Sequence, residues 1–303
     1  MRKLLTLTGS PGERLDRFLA GAVPGTSRRR AKRWVDARRV WVDGRIELMA
    51  SRVLRGGERI VVEPEPEPDP GEPPEIPVVW EDEHALAVDK PAGIPSGPTR
   101  DPRRAHVQSV MQARLGRPLV LVHRLDLDTT GVLLLAKDPE TGAALARLFR
   151  ERAVSKTYLA LVRGRPPKEF RVVSHLREGH GRVHVVRAGG LRSETRFETL
   201  AWARGVALVK AVPRTGRMHQ IRAHLAGEGV PILGDPVYGG PSRLGSRMVG
   251  RQMLHALELG FRHPLSGQTV RVTASVPADL RGIGQALLGP DRWRRALAAA
   301  RSG

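Results

Sequence analysis

The chain has no cysteine, only five Trp, two Tyr and five Phe among 303 residues, and no run of 18 consecutive apolar residues. The first absence excludes disulfides, thiolate nucleophiles and thiolate metal sites, so any metal would have to be held by His and carboxylates. The second argues against a surface on which many bases stack in succession, because such a surface is built from aromatic rings. The third excludes an apolar membrane-spanning helix, and the opening MRKLLTLTGSPG breaks too soon to be the apolar region of a signal peptide. A soluble cytoplasmic protein without membrane association is expected.

Acidic residues are also in deficit: 31 Asp and Glu stand against 51 Lys and Arg, a formal net charge of +20. Only seven of the basic residues are Lys. Exchange of Lys for Arg explains that bias but creates no net charge, so the excess itself points to a polyanionic partner bound through its phosphates. Nucleic acid is the expected partner, recognised by shape and backbone because aromatic rings are scarce.

A chain of 303 residues is long for one domain. The boundary is written in VVEPEPEPDPGEPPEIP, residues 61–77, where alternating Pro and Glu forbid helix and sheet and favour an extended spacer. No Lys or Arg occurs between Ile60 and Asp89. Three parts are expected: residues 1–62, an acidic linker over 63–77, and a large domain over 78–303.

In the first part, Leu15, Phe18, Leu19 and Val23 recur at helical spacing, and Thr26 or Ser27 can cap a second helix. That helix has Arg29, Lys32 and Arg33 on one face and Ala31, Trp34 and Val35 on the other. Asp43-Gly44 within VWVDGRIEL predicts a hairpin. In the large part, short apolar runs at 118–122, 131–136, 158–162 and 206–212 alternate with helical stretches at 139–152 and 217–227. The class is therefore α+β, rich in strands.

The stretch VHRLDLDTTGVLLLAK, residues 122–137, concentrates charge between two apolar runs that read as buried strands. Residue types alone allow a turn in which Asp126 and Asp128 accept backbone hydrogen bonds and Gly131 makes the bend, a metal site on His123, Asp126 and Asp128, or a rigidly presented reactive group. Further on, Met218, Ile221 and Leu225 mark the dry stripe of a helix, and Arg222 falls on that stripe. A guanidinium there needs an anionic partner. His219 and His224 are five apart, which is not the spacing of a helical zinc pair, and are expected to pack or hydrogen-bond.

HRLDLDTTGVLLLAK resembles the motif of the RluA-type pseudouridine synthases, and VDKPAGIPS, SKTYLALVRG, TGRMHQIRAHLAGEGVPILGDPVYGG and RQMLHALELGFRHP follow in that family's order. RLDRFLA and SRRRAKRWVDARRVWVDG resemble an S4 RNA-binding domain. The resemblance implies a catalytic core on a mixed, largely antiparallel sheet with a small α+β S4-like domain, acting on uridines of structured RNA, 23S ribosomal RNA in the first place. It implies catalysis by Asp126 with Tyr158 and Arg222, Asp126 paired with Arg222, and substrate contacts from His123, Arg124, Lys156 and Leu254. Arg28, Arg29, Lys32 and Arg33 would bind RNA. Lys90 and Lys156 are candidates for phosphate contact, Tyr238 for a structural role, and the Arg-rich loop at Arg100, Arg103 and Arg104 for target choice. No cofactor and no metal are expected, and a monomer is. A non-catalytic ribosome-assembly factor and a metal-dependent nuclease on Asp126 and Asp128 stay open on the residues alone.

Overall fold

The computed structural model describes residues 4–24, 26–64, 75–101, 104–179 and 181–301, without the side chains of Arg29 and Arg33. Those two predicted RNA contacts, Arg103 and most of the Pro/Glu linker lie outside the described residues. Two compact units divide at Pro74 and Glu75.

The first unit runs β1 (Leu5–Thr8), α1 (Leu15–Ala22), α2 (Arg28–Asp36), β2 (Val40–Val42), β3 (Arg45–Ile46) and β4 (Arg59–Val62), with sheet order β1-β4-β2-β3. Leu15, Leu19, Ala31, Trp34, Val35 and Ile60 form its core, so the apolar faces of both helices are those the spacing predicts. Ser27 is the cap, its Oγ accepting from Arg30 N at 3.2 Å. Asp43 and Gly44 have φ of 50° and 77°, the left-handed pair a tight two-residue hairpin needs. Lys32 pairs with Asp36 at 2.7 Å and Arg28 with Asp16 at 3.2 Å, both bases remaining largely exposed.

The second unit begins with β5 (Val78–Glu81), β6 (Ala85–Lys90), α3 (Val107–Leu115), β7 (Val120–Leu121), β8 (Thr130–Ala136) and α4 (Pro139–Arg150). It continues through β9 (Ser155–Arg163), β10 (Glu169–Gly179), β11 (Arg182–Val186), β12 (Leu191–Ala203), β13 (Val206–Pro213) and α5 (Gln220–Gly227). A short hairpin of β14 (Arg243–Leu244) and β15 (Arg247–Met248), then β16 (Leu254–Arg262), β17 (Thr269–Thr273), α6 (Ala278–Leu288) and α7 (Pro290–Arg301) complete it. Eleven strands form one sheet in the order β11-β10-β12-β13-β9-β16-β8-β6-β5, with β17 on β16 and β7 on β8. Among the described residues every pairing in this sheet is antiparallel except β8 with β16. The class is α+β, as composition and spacing predict. Among the described residues no helix is long and apolar enough to cross a membrane.

β8 is buried at all seven positions, which is why TGVLLLA reads as one continuous apolar run rather than an alternating one. Gly131 does not bend the chain. Its φ is 111°, and a Cβ there would lie 2.1 Å from the carbonyl oxygen of Ala256, so glycine is what lets β8 approach β16.

Two expectations are corrected. The run 118–122 supplies only the two-residue, half-buried β7, because Arg117 and Pro118 belong to the turn that leaves α3. The 217–227 helix starts at Gln220: His219 adopts a left-handed conformation with φ 51° and ends the irregular segment before it. α5 has no wet side in its first six residues, since Gln220 to Leu225 are all buried, and Met218 is not part of it. A polar helix face that meets other polar side chains looks like a solvent face in sequence.

Candidate active site

The loop between β7 and β8 is held almost residue by residue from other segments. Ser96 Oγ accepts from Leu125 N–H and donates to Leu125 O, each at 3.0 Å. Leu127 O accepts from Lys90 Nζ at 2.8 Å and from Gly93 N–H at 3.1 Å. Asp128 O accepts from Arg251 Nη1 at 3.0 Å, and Gln252 Nε2 donates to Thr129 Oγ1 at 2.7 Å. Thr130 Oγ1 lies 2.9 Å from His255 Nδ1. Arg251 is itself fixed by both carboxylate oxygens of Asp279, at 2.6 and 2.9 Å. These contacts satisfy loop carbonyls that would otherwise carry a desolvation penalty, and they fix where the side chain of Asp126 emerges.

Lys90 is fully buried, so it makes no phosphate contact; this corrects the sequence-based expectation. Its ammonium donates to Pro91 O and Leu127 O, both at 2.8 Å. Burial pushes it down to about 8, Asp128 and Asp126 pulling upward and Arg251 downward.

Asp126 is about one quarter exposed, and its Oδ2 accepts from Arg222 Nη1 at 2.9 Å. The expected pair is present, but Arg222 has a second and closer partner. Its Nε and Nη2 donate to Asp235 Oδ2 and Oδ1 at 2.7 and 2.8 Å, and Asp235 is wholly buried. Asp235 Oδ1 also accepts from Val237 N–H at 3.0 Å. The GDPVYGG loop is built to bring it there. A Cβ on Gly234 would lie 1.9 Å from Arg251 O, and one on Gly240 would lie 1.7 Å from Ile232 O.

His219 joins the same cluster. Its Nε2 is 3.8 Å from Asp126 Oδ2, and its Nδ1 is 3.2 Å from the hydroxyl of Tyr238. Burial lowers its pKa, with the Asp126 charge opposing. Tyr238 accepts from Val183 N–H at 2.8 Å, and its ring lies 5.2 Å from the Arg222 guanidinium carbon, a cation–π contact. Under α5, His224 Nε2 meets Ser174 and Ser193 hydroxyls at 3.0 and 2.9 Å while Nδ1 meets Thr195 Oγ1 at 2.9 Å. Burial takes His224 down to about 4, so it is a neutral packing group, as its spacing from His219 suggests.

A cleft of about 1060 Å³ opens above Asp126. The predicted residues Asp126, Tyr158 and Arg222 line it, and so do His123, Arg124, Lys156 and Leu254. Tyr158 lies on β9 opposite Ala256 and Ala211, and its phenol is pushed well up by burial and by the Asp126 charge. Lys156 donates to Thr215 O at 3.3 Å, and burial brings it down to about 8. Leu254 is 4% exposed and forms apolar wall; Arg124 is exposed. His123 is turned into the fold: Nε2 accepts from Leu134 N–H at 3.1 Å, the ring stacks on Phe149 at 4.6 Å, and burial pushes it down to about 3. With that lone pair occupied, His123 cannot complete a metal site with Asp126 and Asp128. Arg104, Arg150, Arg152 and Arg217 also face the cleft. Of these, sequence reasoning missed Arg150, Arg152 and Arg217, because single arginines at a helix end or in a loop carry no periodic signal.

One anchored carboxylate held by a buried arginine thus lies in a cleft with several arginines, an aromatic wall from Tyr158 and an aliphatic one from Leu254. Residues 84–227 match the RNA pseudouridylate synthase family, and residues 13–60 match the S4 domain. An uncharacterised RNA pseudouridine synthase of Aquifex aeolicus is 35% identical, covering 89% of this chain and 92% of its own length. A ribosomal large subunit pseudouridine synthase D of Nitrosomonas europaea is 35% identical, covering 91% and 85%. The solved human RNA pseudouridylate synthase domain containing 4 aligns with a TM-score of 0.57 and 25% identity over 72% of this chain and 93% of its own. The chain belongs to the RNA pseudouridine synthase family. It is an isomerase that acts on RNA.

Proposed function

We propose that the protein converts uridines of large-subunit ribosomal RNA to pseudouridine, with Asp126 as the catalytic carboxylate. The observation that carries this reading is the Arg222–Asp126 contact of 2.9 Å at the floor of the cleft. The reaction breaks the bond from uracil N1 to ribose C1′, turns the base, joins C5 to C1′, and moves the proton lost from C5 to solvent while N1 regains one. Nothing is oxidised, reduced or hydrolysed overall. A uridine must leave its stack to reach Asp126, at a cost of a few kcal/mol that contacts in the cleft offset.

Tyr158, whose phenol stays protonated, supplies a flat face for the extruded uracil, and Leu254 supplies the apolar wall. Arg124 stands exposed at the mouth to hold RNA, as do Arg104, Arg150 and Arg152, with Lys156 inside. Arg217 lines the cleft as well, and its Nε is buried with no hydrogen-bond partner among the described residues. Ribosomal RNA of the large subunit is the target because several relatives over 30% identical across most of this chain are named for it.

The test is Asp126→Asn, which keeps shape and removes the carboxylate. Tritium release from RNA carrying 5-tritiated uridine should fall at least about a thousandfold while binding of the same RNA persists. Activity within tenfold of wild type would remove Asp126 from the chemistry.

A further inference from the structure

β10 and β12 form an antiparallel ribbon with β11 at its edge, and the two faces of this ribbon differ. On one face, Ser174, Ser193 and Thr195 hydrogen-bond to His224 of α5. The alternation of strand side chains puts the neighbouring positions on the opposite face. There Arg171 stands directly opposite Arg196, Val173 opposite Glu194, His175 opposite Arg192, and Arg177 opposite His184. The four arginines, both histidines and Val173 are exposed.

Three acids share this face: Glu194, which Arg171 reaches at 2.9 Å and Arg192 at 3.0 Å, and Glu169 and Glu198. Among the described residues Arg177 and Arg196 have no acidic partner. The Glu169–Glu198 rung closes the strip at the base of the ribbon. Like charges directly opposite one another destabilise a sheet, so the Arg171–Arg196 rung works against the fold that carries it. An exposed Val at the centre of a cationic strip adds nothing to solubility either. Both features are explained by an anionic partner lying along this face.

We propose that this outer face of the β10–β12 ribbon is a second RNA-docking surface, binding the phosphate backbone of duplex RNA that flanks the uridine in the cleft. The proposal rests on RNA being the substrate, as argued above. From Arg171 to Arg177 the strip is roughly 20 Å long at about 3.4 Å per residue, enough to follow about six base steps. Recognition would be by charge and shape, without base reading, since the strip offers guanidinium and imidazole groups and no Phe, Tyr or Trp ring.

The test is the double variant Arg177→Gln and Arg196→Gln in the full chain, which leaves both Glu194 ion pairs intact. Binding of an in vitro transcript of large-subunit ribosomal RNA is measured at several salt concentrations, together with thermal melting. Affinity should fall about tenfold, and the slope of log K against log salt should become less steep by about two, one for each lost phosphate contact. The melting temperature should hold or rise, because one like-charge rung is relieved. An unchanged affinity and slope would overturn the proposal, as would a lowered melting temperature with loss of binding, which would make the strip a part of the fold. If wild type itself bound the transcript without salt dependence, the reading of RNA as substrate would fail instead.

Discussion

Asp235 holds Arg222 by two hydrogen bonds of 2.7 and 2.8 Å, whereas Arg222 offers Asp126 one, of 2.9 Å. The guanidinium is thus compensated by a wholly buried carboxylate, and its free edge is aimed at the partly exposed one that lines the cleft. Arg222 orients Asp126 from a fixed base, and Asp235 is what fixes it. Removing the counter-ion of a buried arginine costs about 3–5 kcal/mol. Asp235→Asn should therefore lower unfolding free energy by about that much and slow single-turnover isomerisation at least about tenfold. Asp126→Asn, at a partly exposed position, should cost much less stability. Chemical denaturation of both variants checks this ordering, and its reversal would remove Asp235 as the anchor.

Arg222→Met looks tolerable from the apolar spacing of its neighbours, since Met matches the stem in volume. The structure predicts otherwise, because the variant strands Asp235 in the core with no cation. We expect a loss of about 3–5 kcal/mol in stability as well as loss of activity. Arg222→Lys should fold better yet lose about a hundredfold in rate, because a point charge cannot serve both oxygens of Asp235 and reach Asp126. Denaturation and single-turnover rates on the same RNA separate the two effects; a Met variant as stable as wild type would contradict the buried triad.

Lys90 gives a prediction in pH. In the folded protein its ammonium is pushed down to about 8, whereas its ordinary value is 10.5. Between these values the unfolded chain binds more protons, so wild-type stability gains from this group as pH rises from about 8 to 10.5; below about 8 the full penalty of burying the charge is present. Lys90→Met removes that dependence. The melting temperature of wild type relative to Lys90→Met should rise across this window. The variant should also be slower at pH 7 by at least about tenfold, since Leu127 O loses its ammonium donor. A difference in melting temperature that is flat with pH would mean that Lys90 is not buried as a cation.

Gly131→Ala should be among the most damaging small substitutions. The added methyl would sit 2.1 Å from Ala256 O, in a backbone conformation with φ 111°, and the only parallel pairing among the described strands of the large sheet would have to open. A loss above about 3 kcal/mol is expected, against about 1 kcal/mol for an ordinary mutation. A soluble, normally melting Gly131→Ala protein would show that β8 and β16 have room to separate.

The sequence alone determined the α+β class and the basic character, because these follow from periodicity, turn chemistry and composition, all of them local. The hairpin at Asp43-Gly44, the buried faces of α1 and α2 and the run through β8 are legible for that reason. The motifs that travel together also named seven residues that line the cleft, Asp126, Tyr158, Arg222, His123, Arg124, Lys156 and Leu254, but not Arg150, Arg152 or Arg217. What the sequence did not determine is who holds whom. Arg222 calls for an anion, but the chain offers 31 acids, and only the fold brings Asp235 against Arg222 thirteen residues further on. Lys90 reads as a surface lysine until β6 carries it beneath Leu127 O, 37 residues away. His219 reads as a packing or hydrogen-bonding residue, and only the fold makes Tyr238 its partner and sets it 3.8 Å from Asp126. Charge and hydrophobicity are properties of residues. The compensation of a buried charge is a property of distances between segments, and those are settled by tertiary packing.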